Sequence, residues 1–304
     1  LSSPITRTLV LGSRPSQLAR WQTGHVCGLL EAAAPGLQTR TVLMRTAGDR
    51  IVDKPLPEIG GKGLFTAELE RALHAREIDL VVHSLKDLPI EPSAGLVVAA
   101  IPPRADARDV LISAHRYTLD TLPPGARVGT SSLRRAAQLL AYRPDLTLFP
   151  LRGNVDTRIR KAMQGEYDAI VLAAAGVTRL GLEEQVGQYL PFEIMLPAPG
   201  QGALAVQCRS DDAELVNLLA QIDDPAARAA VEAERAFLSG LGGGCSAPVA
   251  AHAVCEEQII HLTGLAATPD GRKVVRVIGE GTDPRALGLR LAEQALAQGA
   301  GECL

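Results

Sequence analysis

Short apolar runs alternate with helix-period segments through the first two thirds of this 304-residue chain. Residues 8–11 read as a buried strand and 16–33 as an amphipathic helix. Residues 39–44 alternate like a strand. Residues 62–76 form a helix with Leu64, Leu69, Ala72 and Leu73 near one face, and 79–83 and 96–101 are apolar strands. Strand and helix in alternation predict an α/β domain with a largely parallel sheet. Pro102, Pro103 and the charged stretch 104–109 mark a crossing. A second set follows: strand 127–129, helix 132–142, strand 146–151, helix 154–164, strand 168–173.

The two sets resemble each other. Glu77-Ile78-Asp79-Leu80-Val81-Val82-His83 reads like Glu166-Tyr167-Asp168-Ala169-Ile170-Val171-Leu172, and each follows an amphipathic helix. Each set opens with a strand that runs into glycine, hydroxyl residues and a helix. This predicts two similar α/β domains facing one another across a cleft. The Pro- and Gly-rich segment 191–202 is a second crossing, and 203–208 is a strand returning to the first domain. Helices at 211–222 and 225–239 come next. Strands at 249–254, 259–266 and 273–279 and a closing helix at 284–298 then make a small α+β third domain. The expected division is 1–102 with 200–220, then 103–199, then 221–304.

Composition narrows the chemistry. Aromatics are only 3% of residues, so Leu, Val, Ile and Ala must fill the cores. A net charge of -3 argues against a nucleic-acid binder. Only Lys54, Lys62, Lys86, Lys161 and Lys273 among the 31 basic residues are lysine, and arginine is suited to bidentate carboxylate or phosphate contacts. The five cysteines have no framework or zinc-ligand spacing. The first fourteen residues lack the form of a signal peptide, and no run has the length of a bilayer span. A reduced, cytoplasmic protein with no metal and no membrane partner is expected.

Three strand ends place hydroxyls and arginine at a helix N-terminus, where unpaired N–H groups and the helix dipole favour anions. They are Gly12-Ser13-Arg14-Pro15-Ser16, Gly129-Thr130-Ser131-Ser132-Leu133-Arg134-Arg135, and Leu151-Arg152-Gly153-Asn154, with Arg158 one turn inside the last helix and Asn154 as its N-cap. Arg134 and Arg135, being adjacent, are expected to point to different faces and reach two anions. Capped helices with solvated arginines are the alternative. His83-Ser84-Leu85-Lys86-Asp87 leaves a buried strand. Asp87 there suits acid–base work or steadying a cation, though a surface Lys–Asp turn has the same spacing. Gly60-Gly61-Lys62-Gly63 lacks a nucleotide-loop pattern and reads as a mobile loop offering Lys62. Cys245, after three glycines, has no neighbour to pack it, and arginines nearby would favour its thiolate; an incidental thiol in a bent loop is the alternative.

These segments together resemble the hydroxymethylbilane synthase (porphobilinogen deaminase) family over nearly the whole chain. The most specific match is Arg235-Ala236-Phe237 through Leu241-Gly242-Gly243-Gly244-Cys245-Ser246-Ala247-Pro248. The segments 129–135, Leu151-Arg152-Gly153-Asn154-Val155, Gly60–Phe65, His83–Asp87 and Pro199-Gly200-Gln201-Gly202-Ala203 also match, in family order. The resemblance implies two domains folded like periplasmic binding proteins plus a third. It also implies a dipyrromethane cofactor in thioether linkage to Cys245, and a catalytic role for Asp87. Arg14, Ser16, Lys86, Thr130, Ser132, Arg134, Arg135, Arg152, Arg158 and Arg179 would bind cofactor and substrate, and Lys62 would belong to a mobile loop. The implied reaction condenses four porphobilinogen molecules, with loss of ammonia, onto the dipyrromethane. Water then releases hydroxymethylbilane. A monomer that passes its product to uroporphyrinogen-III synthase is implied as well. Glu58, where many members carry Lys, and Pro15, in place of a polar residue, depart from the pattern. The residues alone leave two rivals: a receptor for a small dicarboxylate, and a phosphate-handling enzyme.

Overall fold

The computed structural model describes residues 7–46, 48, 66–91, 93–242 and 247–304. Contacts divide the chain into two units, Leu1–Arg104 with Ala203–Pro225 and Ala105–Gly202 with Ala226–Leu304.

In the first unit, β1 (Leu9–Ser13) pairs in parallel with β2 (Thr39–Leu43) and β3 (Leu80–Ser84). β4 (Leu96–Ala100) and β10 (Leu204–Arg209) complete the sheet in the order β2-β1-β3-β10-β4, with β10 antiparallel to both neighbours. The predicted return of 203–208 to this sheet is thus observed. Every position of β10 is buried, as expected for a central strand covered on both faces. Helix α1 (Gln17–Ala33) buries Gln22, Thr23, Val26 and Leu30, a helix-period stripe whose apolar members join Leu9, Leu11, Leu80 and Val206 in one core. Helix α2 (Ala67–His74) buries Leu69, Ala72 and Leu73 on the other face of the sheet. The predicted Leu64 lies outside the described residues. A third helix of the unit, α6 (Ala213–Leu219), adds Leu215, Leu218 and Leu219 to the α1 core.

The second unit repeats this plan. Its sheet contains β5 (Asp109–Ile112), β6 (Arg127–Gly129), β7 (Thr147–Phe149), β8 (Ala169–Ala173) and β9 (Val186–Tyr189) in the order β7-β6-β8-β5-β9. β6, β7 and β8 are parallel, and β5 runs antiparallel between β8 and β9. In each sheet the antiparallel strand is the one entered directly from a crossing. The likeness extends to single bonds. Asp79 Oδ2 accepts from Val10 N of β1 at 2.8 Å, and Asp168 Oδ2 accepts from Arg127 N of β6 at 2.7 Å. The Asp79 and Asp168 N–H groups return bonds to the Val10 and Arg127 carbonyls. One aspartate thus stitches β3 to β1 in the first sheet and β8 to β6 in the second, which is why the two seven-residue segments read alike. Helices α3 (Leu133–Tyr142), α4 (Val155–Met163) and the short α5 (Ala174–Thr178) follow β6, β7 and β8.

The third domain is an antiparallel sheet of β11 (Val249–Glu256), β12 (Ile259–Ala267) and β13 (Val274–Gly281) with helices α7 (Pro225–Gly240) and α8 (Pro284–Ala297). Phe237 of α7 is wholly buried, and a Cβ at Gly264 of β12 would stand 2.4 Å from its ring. Only glycine lets the helix lie that close. Glu234, also fully buried, accepts from Ala253 N and Gly200 N, both at 2.7 Å, so one carboxylate ties α7 to β11 and to the second crossing.

Candidate active site

In the first unit, β1 and β3 run side by side and end at one rim. Arg14 follows β1, and Ser16 caps α1 by accepting from Ala19 N at 3.3 Å. After β3 the chain makes a single 3-10 turn, Leu85–Asp87. Leu85 and Leu88 are buried, and Leu85 N donates to Ala203 O, so the turn is pinned at both ends while Asp87 is exposed and Lys86 half-buried. Behind it lies His83, buried, its Nε2 3.1 Å from Gln207 Oε1. Gln207 in turn donates to Glu70 at 3.2 Å. Burial pushes the His83 imidazole below its ordinary range. The charges of Asp87 and Arg14 act on it with opposite effects, Asp87 raising and Arg14 lowering.

The second unit builds its rim at the ends of β6, β7 and β8. Thr130 N donates to Phe149 O at 2.9 Å, extending the β6–β7 ladder by one bond. Thr130 Oγ1 accepts from Ser132 N at 3.2 Å, and Ser132 Oγ caps α3 through Arg135 N at 3.4 Å. Ser131 Oγ donates to Leu151 O at 2.9 Å and accepts from Leu151 N at 3.0 Å, so it holds the two loops together. Arg152 is half-buried, and Arg158 Nε donates back to Gly153 O at 2.7 Å. Asn154 occupies the N-cap position of α4 with extended backbone, but its side chain makes no capping bond. Arg179, buried, donates from Nη2 to Gly202 O at 2.7 Å, and burial pushes its guanidinium down to about 10. Gly202 has φ +87° and lies against Ala105 O, leaving no room for a Cβ.

The reading of Arg134 and Arg135 needs correction. Neighbours on a helix diverge by about 100°, yet both side chains curl back onto one carboxylate, that of Asp109. Arg134 Nη1 donates to Asp109 Oδ2 at 2.8 Å, and Arg135 donates to Oδ1 from Nη2 at 2.7 Å and from Nε at 3.1 Å. Both arginines are buried, and Asp109 is fully so. Burial alone would raise the Asp109 pKa. The charges of Arg134 and Arg135 outweigh it and hold the carboxyl well below the usual range. Arg134 Nε is buried with no hydrogen-bond partner among the described residues. Sequence reading missed Asp109 because it ends a charged stretch taken for a crossing, when it in fact opens β5.

Cys245 and Lys62, with Glu58 and the rest of the glycine-rich segment 60–65, lie outside the described residues. Cys208 is buried in β10, and burial pushes its thiol up to about 12.

Two family models match the chain. "Porphobilinogen deaminase, dipyromethane cofactor binding domain" covers residues 9–217, and "Porphobilinogen deaminase, C-terminal domain" covers 228–297. Curated relatives agree. A porphobilinogen deaminase of Brevibacillus brevis is 52% identical over 295 residues, spanning 97% of this chain and 96% of its own. That of Roseiflexus castenholzii is 52% identical over 293 residues, spanning 96% and 97%. Among solved structures, the periplasmic VFT2 domain of Bordetella pertussis BvgS aligns at 15% identity with a TM-score of 0.42, covering 71% of this chain and 86% of that one.

Proposed function

The chain belongs to the porphobilinogen deaminase family, transferases of tetrapyrrole biosynthesis that act on porphobilinogen with a dipyrromethane cofactor, and on that premise we propose which of its residues do the work. Family membership removes the dicarboxylate receptor and the phosphate-handling enzyme as readings.

The donor set of the second unit fits the cofactor: hydroxyls, helix N–H groups and guanidiniums suit a ligand bearing carboxylates, and the buried, unbonded Arg134 Nε is a donor still to be satisfied. The dipyrromethane, when bound, supplies a nucleophilic pyrrole carbon. Cys245 is the residue that holds it, by thioether. Thr130, Ser132, Arg134, Arg135, Arg152, Arg158 and Arg179 bind side-chain carboxylates of cofactor and substrate, each charged bond contributing about 1.5–3 kcal/mol. Arg14, Ser16 and Lys86 do the same at the rim of the first unit. Asp87 acts on the incoming porphobilinogen. Its carboxylate accepts the pyrrole N–H and stabilises the positive charge that develops there as ammonia leaves. Lys62 offers a further cation to the ligand's carboxylates. We assign 1–102 with 200–220, 103–199 and 221–304 as the three working domains.

The observation that carries the assignment of Asp87 is its turn: an exposed carboxylate at the end of β3, on a backbone pinned by two buried leucines. Intact mass of the purified chain tests the cofactor assignment. The expected result is the sequence mass plus a dipyrromethane, with a positive Ehrlich colour and the adduct on Cys245. A bare chain, or an adduct on another cysteine, overturns it. We also place the protein in the cytoplasm, supported by its free thiols at Cys27, Cys208, Cys255 and Cys303, as a monomer that hands hydroxymethylbilane to uroporphyrinogen-III synthase.

A further inference from the structure

Asp109 contacts no substrate in the scheme above, yet its buried carboxylate accepts four hydrogen bonds from three side chains. Its Oδ1 accepts from Arg135 Nη2 and Nε and from Gln201 Nε2, the last at 3.0 Å; its Oδ2 accepts from Arg134 Nη1. Each arginine is held at a second point by a backbone carbonyl. Arg134 Nη1 donates to Leu196 O at 2.6 Å and Arg135 Nη1 to Val171 O at 3.1 Å. The Arg135 guanidinium, bonded through Nε, Nη1 and Nη2, cannot turn about its stem, while Arg134 is anchored through Nη1. Gln201 Nε2 also donates to Ala107 O at 2.8 Å, so the second crossing sets the carboxylate that opens β5. Two adjacent buried guanidiniums carry two positive charges; the internal carboxylate cancels one and leaves one for a ligand.

We infer that Asp109, set in place by Gln201, is the positioning residue for Arg134 and Arg135, fixing which N–H edges of the pair meet the pyrrole carboxylates. This rests on the reading that those two arginines bind the cofactor and substrate.

Asp109→Asn keeps the shape and removes the charge and one acceptor. The positive charge it uncovers would by itself strengthen anion capture, so a loss of affinity reports lost geometry. In holoenzyme with native circular dichroism, the expected result is a smaller cofactor-bearing fraction by intact mass. In that fraction the KM for porphobilinogen rises by about tenfold while kcat falls by less than about threefold. An unchanged or lower KM with full cofactor loading overturns the inference. If Asp109→Asn does not fold, Gln201→Met decides, since it leaves both ion pairs while removing the third hold on Oδ1 and the bond to Ala107 O. A rise in KM of several-fold supports the inference, and an unchanged KM overturns it. Arg135→Lys, measured in parallel, separates the two levels. Normal loading and KM in that variant defeat the underlying reading, whereas impaired Arg135→Lys beside a normal Asp109→Asn defeats the positioning role alone.

Discussion

Two residues at the rims make opposite use of water. Asp87 is exposed on a pinned turn; in the proposed scheme its value lies in standing where a pyrrole N–H arrives, and removing it should leave the fold intact. Asp87→Ala is expected to keep its melting temperature and lose turnover by at least about 10²-fold, as for a group that stabilises a developing charge. A near-normal rate would remove Asp87 from the mechanism. Arg179 is buried, and burial already pulls its guanidinium to about 10. A lysine there starts from about 10.4, and the same desolvation would carry it towards neutrality. A lysine loses its charge as pH rises. Arg179→Lys should therefore show a KM that climbs between pH 7 and 9 where the parent's stays flat, and parallel profiles would refute the argument. At the thiols, Cys245→Ala should yield a folded chain with no pyrrole adduct. Cys208, pushed up to about 12 by burial, should resist alkylation in the native protein.

At the scale of elements, the rim of the second unit depends on one hydroxyl that touches no ligand in our scheme. Ser131 bridges both backbone groups of Leu151, and so fixes the loop after β6 against the loop after β7. Losing two such bonds should cost about 1–3 kcal/mol. Because Thr130, Ser132 and Arg152 ride on those loops, KM should rise as well. Ser132→Ala, which removes a helix cap, should cost about 1 kcal/mol. Urea titration of both variants checks the order; a Ser131→Ala midpoint equal to the parent's would show the bridge to be idle. The elements themselves were legible where periodicity is strong. α1, α3, α4 and α8 stand where apolar spacing puts them, because each buries one stripe. β5 and β9 were not legible. Asp109 and its charged predecessors hide the start of β5, and the half-buried Val186–Tyr189 shows neither alternation nor an apolar run. The strand-end positions of the arginines could be read from sequence, but their partners could not. A helix wheel separates Arg134 from Arg135, and only the tertiary return of β5 beneath α3 brings one carboxylate to both.

Across the molecule, the same buried triad gives a pH signature. Asp109 is held below its unfolded value by Arg134 and Arg135, so its folded pKa is depressed. A depressed acid contributes stability that is fully present above its unfolded pKa, about 3.9, and is lost as pH falls through the folded value. Asp106 and Asp168, also depressed by hydrogen bonds and charge from Arg108 and Arg127, act in the same direction, but both are partly exposed and count for less. The urea midpoint of the second unit should therefore hold steady from pH 7 to about 5 and fall steeply below about 4. Asp109→Asn should lower the midpoint throughout, since breaking a buried ion pair costs about 3–5 kcal/mol. It should also flatten the acid limb, because the group whose protonation drives that limb is gone. Parent and variant curves that fall in parallel below pH 4 would mean that other carboxylates set the acid limit. Cofactor loading, measured over the same range, should fail in the parent together with the midpoint, since the folded state in which Asp109 sets Arg134 and Arg135, our proposed carboxylate binders, is then lost.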